Sequence, residues 1–352
     1  MKILITGGAG FVGSNLAISL KKDNPDYEIL CLDNLKRKGS ELNIPRLRDK
    51  DINFTRGDIR NKEDLDYLNF DTLIECSAEP SVLAGFNESP DYVINTNLVG
   101  TLNCLGAVRK NNANIVFIST SRVYPIKSLI DILLEEGDTR FILSSKQNIQ
   151  GVSEKGISED FPIIGPKSLY GATKLASELI LQEYLEMYDM KGVINRCGLI
   201  AGPWQMGKVD QGIIALWIAR HTFGGNLSYI GFGGKGKQVR DILHIDDLYN
   251  LIKIQLNDLP KFNKKIYNVG GGLSNSISLF ELTNLCREIT GKKINISELN
   301  ETRYADITLY ITNYSKIKEE TGWSPKKSIN HIVEETYNWM KSNKKILADV
   351  FN

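Results

Sequence analysis

The stretch "KILITGGAGFVGSNLA" constrains this chain more than any other, because a short β-branched run leads directly into Gly7, Gly10 and Gly13 and then into a helical pattern. Strand, glycine turn and helix in that order predict the start of a βαβ unit. Glycine permits the tight turn, lets backbone N–H groups approach a pyrophosphate, and allows close packing of helix on strand. The helix N-terminus adds positive potential there. The next strand, "EILCLD", ends on Asp33, 20 residues beyond Gly13, where a carboxylate accepts hydrogen bonds from a ribose. Together these features predict a dinucleotide site, and the negative charge of Asp33 favours NAD over NADP. "LKRKG" just beyond works the other way: Lys36, Arg37 and Lys38 could meet a 2′-phosphate, stack on adenine, or simply form a solvated loop. Asp58, in "RGDIRN" after the third strand, reaches the adenine edge or makes an ordinary Gly-Asp turn.

The rest of the chain extends that unit. "KILIT", a helix over 11–22, "EILCL", "INFT", "TLIEC", a helix over 91–110, "NIVFIS", a helix over 168–189 and "GVINR" alternate as parallel strands with crossover helices do. The expected class is α/β, a Rossmann-like doubly wound parallel sheet with a smaller C-terminal α+β lobe. The nucleotide-binding domain is expected over 1–198 with parts of 237–270, including an apparent insertion at 126–162, a length usual for lids or excursions. The substrate lobe takes most of 199–352. Its elements are a helix near 211–223, "LSYIGF", "VRDILHI", a helix from Asp246, "KIYNVGG", and helices over 278–290 and 328–342.

Charge excludes several roles. Lys and Arg number 43 against 42 for Asp and Glu, so no global field recruits nucleic acid or an anionic membrane. Five scattered cysteines with no CxxC spacing and only three histidines argue against a disulfide framework and a zinc site. No apolar run approaches a membrane span, and a cytoplasmic protein is expected.

"PKSLYGATKLASE" sets Tyr170 and Lys174 four apart on a predicted helix, hence on one face. An ammonium near a phenol lowers its pKa and makes it a general base near neutrality. An unremarkable surface pair has the same spacing. The stretch "FISTSRVYP" is a buried strand that turns hydroxylic and basic at Thr120, Ser121 and Arg122. Thr120 fits a substrate contact or a strand-end hydroxyl serving the backbone.

From Gly7 to "TGWSP" at 321–325, these motifs resemble the extended short-chain dehydrogenase/reductases of the nucleotide-sugar epimerase and dehydratase group. The resemblance implies Tyr170 as base, Lys174 as its aid and Thr120 as the hydroxyl on the sugar oxygen. It implies NAD contacts from Gly7, Gly10, Phe11, Val12, Gly13, Asp33, Asn34, Lys36, Arg37, Asp58 and Ile59. Ser77, Ala78, Asn97, Ser119, Tyr170 and Lys174 complete that set, Asn97 being mainly structural. It implies a nucleotide-diphosphate sugar held by Glu79, Ser121, Arg122, Gln205, Gln211, Arg240 and Arg303, with Lys208 and Asp210 as further contacts. Trp204 stacks on a base or sugar, or fills the core. No metal is implied, and a homodimer is possible.

In the dehydratases of the group, Asp and Glu follow the threonine. Ser121 and Arg122 stand there instead, and neither replaces a carboxylic acid and carboxylate pair. Epimerisation through a transient ketosugar is therefore expected. "DNLKRKGS", "TSRVY", "VDQG" and "GKQVRDILH" resemble the branch acting at C2 of CDP-deoxyhexoses such as CDP-paratose. The alternatives are another nucleotide-sugar 4-epimerase, a dehydrogenase or reductase of the same group, and a non-catalytic NAD-binding sensor.

Overall fold

In the computed structural model, residues 1–207 and 211–351 are described, the side chain of Ala348 excepted. Lys208 and Asp210 lie outside the described residues.

Seven strands form the main sheet: β1 (Lys2–Thr6), β2 (Glu28–Asp33), β3 (Asn53–Arg56), β4 (Thr72–Glu75), β5 (Asn114–Thr120), β6 (Gly192–Cys197) and β7 (Lys265–Val269). Their order is β7-β6-β5-β4-β1-β2-β3. Strand β1 pairs in parallel with β2 (Ile3 opposite Ile29) and with β4 (Ile5 opposite Ile74). The reversal of direction beside β1 places the glycine turn at the topological switch point, where doubly wound sheets bind ligands. One core cluster carries Leu4, Leu73, Ile115 and Phe117 from the strands. Against them lie Leu105 and Val108 from α2 (Gly100–Lys110) and Leu181 and Leu185 from α3 (Ser168–Met187). Each fully buried side chain of this kind contributes about 1.5–3 kcal/mol over its exposed state.

Most of the sheet and of its helices belong to one compact unit, residues 1–123, 169–196 and 248–267. The other unit comprises residues 124–168, 197–247 and 268–352. In it Val239–His244 pairs in parallel with Leu199–Ala201 and Leu309–Tyr310 and antiparallel to Ser276–Ser278. A separate parallel ribbon joins Leu227–Ile230 to Ile296–Leu299.

Two boundaries differ from the expectation. Residues 126–162 and the strand at 239–244 group with the second unit, not the first. The apparent insertion is ordered by pairing: Leu134–Glu136 and Phe141–Leu143 form a hairpin. The Phe141 N–H donates to the Lys237 carbonyl (3.0 Å), and the Ile157 N–H donates to that of Ile311 (2.8 Å). Thr139 donates to Glu281 at 2.7 Å. The helix expected over 91–110 is also interrupted, with a wide π turn at Asn95–Val99.

Candidate active site

The glycine turn has no room for side chains. Gly7 has φ +64°, and a Cβ on Gly13 would lie 2.3 Å from the Gly7 carbonyl oxygen. Helix α1 (Phe11–Asp23) begins immediately after Gly10 and has no side-chain cap. The N–H groups of its first turn, Phe11 and Val12 among them, have no acceptor within the helix. Asp33 is fixed by the N–H groups of Ala9 (3.1 Å) and Leu35 (2.8 Å), which donate to its two oxygens. Burial pushes its carboxyl up, and these bonds offset that rise only in part. A glycine cradle beside an oriented carboxylate fits a dinucleotide.

The cationic loop is partly committed elsewhere. The Lys36 ammonium lies 3.0 Å from the centre of the Tyr92 ring, and the Arg60 guanidinium stands 4.9 Å from it. Asp58 accepts from Asn34 (2.9 Å) and grips Arg60 at 2.7 Å. Burial raises its carboxyl, but the Arg60 and Asn34 hydrogen bonds outweigh it and hold the group at about 2. Ile59 is buried beneath Gly100. Tyr92 carried no signal in the sequence, since a lone tyrosine in a predicted helix reads as packing.

Ser77 and Ala78 follow β4, just past the Cys76 N–H that donates to the Thr6 carbonyl of β1 (3.1 Å). Asn97 ties the next residue down: its Oδ1 accepts from the Glu79 N–H (2.8 Å) and its amide donates to the Glu79 carbonyl (3.1 Å). The π turn frees the Asn97 carbonyl to accept from the hydroxyls of Thr101 (2.8 Å) and Ser177 (2.9 Å).

At the end of β5, Thr120 is buried and its Oγ1 accepts from the Arg122 N–H (3.1 Å). That engagement leaves the hydroxyl proton to donate. Ser121 and Arg122 lie in a 3₁₀ turn and are half-buried. Ser119 donates a short hydrogen bond to Glu178, which Arg196 grips at 2.7 Å. Ser119 thus joins strand to helix. On α3, Tyr170 is half-buried and Lys174 buried. The Lys174 ammonium lies 3.4 Å from Glu75 and 3.9 Å from the centre of the Phe117 ring. The sequence reading missed Glu75, although a carboxylate closing the apolar run "TLIE" was a visible anomaly.

The remaining expected substrate residues lie in the second unit. Arg240 donates to the carbonyls of Val239 and Ile307, both at 2.7 Å. Arg303 is paired with Asp306 at 3.1 Å. Gln205 donates to the Ile200 carbonyl (2.8 Å), and Gln211 is buried. Trp204 is half-buried and packs on Trp339 with ring centres 5.4 Å apart. This unit also brings ligand-type atoms of His244, Asp246 and Glu335 within 4.8 Å of one another. His244 Nδ1 accepts from the Asp246 N–H (3.1 Å), and its Nε2 stands 3.2 Å from a Glu335 carboxylate oxygen.

Residues 3–270 match the NAD dependent epimerase/dehydratase family, and the chain belongs to it. It is 32% identical to a CDP-paratose 2-epimerase of Salmonella typhi over 97% of this chain and all of that protein. It is 27% identical to a dTDP-glucose 4,6-dehydratase of Actinoplanes, covering 98% and 99%. Among solved structures, UDP-glucuronic acid 4-epimerase from Bacillus cereus, in complex with UDP-glucuronic acid and NAD, superposes with a TM-score of 0.79 at 25% identity, covering 97% and 99%. Pal from Bacillus thuringiensis gives 0.79 at 28% with the same coverage. The cofactor is NAD, and the glycine cradle with Asp33 fits it. No helix among the described residues is long and apolar enough to cross a membrane.

Proposed function

We propose that the chain is a nucleotide-sugar epimerase that inverts C2 of a CDP-deoxyhexose through a transient ketosugar. The observation that carries this reading is the pair Ser121 and Arg122 after Thr120, which supplies no carboxyl group to expel water. The full-length similarity to a CDP-paratose 2-epimerase supports C2 and the cytidine nucleotide.

Bound NAD supplies a reversible hydride acceptor. The chain's own groups do the rest. The Tyr170 phenolate takes the proton from the sugar hydroxyl and later returns it. Lys174 keeps that phenol acidic and holds the nicotinamide ribose, and Thr120 donates to the sugar oxygen as its charge changes. Gly7, Gly10 and Gly13, with the N–H groups of Phe11 and Val12, receive the pyrophosphate, and Asp33 receives the adenosine ribose. Glu79, Ser121, Arg122, Gln205 and Gln211 hold the sugar, while Arg240 and Arg303 hold the diphosphate through their planar forks.

The test is a panel of CDP-, UDP-, GDP- and dTDP-sugars followed by NMR with no added cofactor. Inversion at C2 of a CDP-sugar is expected. Stoichiometric NADH release, or inversion at C4 alone, would overturn the reading. We also propose a homodimer, because Val99, Leu179 and Met187 expose apolar surface along the region of α2 and α3. Light scattering should give twice the mass of one chain, and Leu179→Glu should give one.

A further inference from the structure

Glu75 ends β4 with both chain neighbours in register, Thr6 on β1 and Phe117 on β5. Its side chain is 0% exposed and its partner Lys174 2%. Among the described residues, Glu75 is the only acceptor to which Lys174 donates, and Glu75 Oε1 has no hydrogen-bond partner at all. A carboxylate half-satisfied in a core is costly unless it serves a charge. The charge it serves is the ammonium of the residue that supports Tyr170.

We propose that Glu75 is a positioning residue: it holds the Lys174 ammonium fixed over Phe117, so that the ammonium can act on Tyr170. The inference rests on the reading of Tyr170 and Lys174 as a working pair. Without its counter-charge, an ammonium buried to this degree is drawn towards water. That displacement withdraws positive potential from the phenol, which must then ionise at higher pH.

Other groups facing the pair do not replace Glu75. Cys104, from α2, is pushed well above the usual thiol range by burial and by Glu75 itself, and stays neutral. Glu178, one turn beyond Lys174 on α3, is consumed by Arg196 and Ser119. Burial likewise raises Glu75, against the pull of Lys174.

The experiment is an ultraviolet difference titration of the purified full chain, with Tyr170→Phe subtracted to isolate that one phenol. Glu75→Leu should move its ionisation up by about one pH unit, in the direction of Lys174→Met, and the double variant should go no further than Lys174→Met alone. NAD affinity, measured calorimetrically, should fall at least about fivefold in Glu75→Leu. If Glu75→Leu unfolds the chain, the double variant restores folding because no unpaired charge remains, and Glu75→Gln, which keeps the shape without the charge, carries the titration. No shift, or a downward one, in a folded Glu75 variant overturns the proposal. If Lys174→Met itself leaves the phenol unmoved, the pair reading fails instead.

Discussion

At position 13 a single methyl group would stand 2.3 Å from the Gly7 carbonyl oxygen, a backbone atom that cannot swing aside. Gly13→Ala should therefore cost about 1–3 kcal/mol in urea unfolding and remove measurable NAD binding, because strand and helix must part to relieve the clash. Asp58 gives a residue-level prediction of opposite character. Its folded pKa, about 2, lies below the ordinary value of about 3.9. The stabilisation it provides is complete above that ordinary value and is lost as pH falls towards the folded one. Arg60→Ala should thus lower stability at about pH 6, and the gap from the parent should narrow by about pH 2.5. A gap that stays constant would mean that Arg60 acts by packing alone. Residues such as Gly13 and Asp33 were legible because one backbone geometry demands them. Glu75 and Tyr92 were not, because their roles depend on partners 99 residues away for Glu75 and 56 for Tyr92, Lys174 and Lys36 respectively.

Among the elements, α3 carries the largest chemical load. Its first turns present Tyr170 and Lys174, and its next turn sends Glu178 to Arg196 on β6 and to Ser119 on β5. Both members of that ion pair are almost fully buried. Glu178→Leu leaves the guanidinium without a counter-charge and should cost about 3–5 kcal/mol. Adding Arg196→Met should recover most of it, read as the urea midpoint. The strands of the main sheet were legible because strands covered on both faces read as continuous apolar runs. The hairpin at 134–143 was not, since "LLEEGDTRFIL" has no alternation, and its strands are set by Gly137 and by Lys237, which donates to Glu136 at 2.8 Å. Nor was the partner of Leu227–Ile230 visible, because Ile296–Leu299 lies far along the chain. The π turn at Asn97 leaves no mark in an apolar period that continues through it.

For the molecule as a whole, the α/β class followed from alternation, but the division of the chain did not. The stretch at 126–162 is polar in its centre and was placed with the first domain, yet its backbone bonds run to residues of the second. The chain therefore passes from one compact unit to the other at 123, 168, 196, 247 and 267. Such interlacing makes the two units inseparable by cutting. Thr120 and Tyr170 belong to one unit, but the polypeptide between them must first complete a detour through the other. No truncation yields either unit alone, and neither can finish folding during synthesis before residue 267 has emerged. A single cooperative melting transition is expected by calorimetry, where independent domains would give two. Evolution by domain exchange, open to chains whose units follow one another in series, is closed to this one.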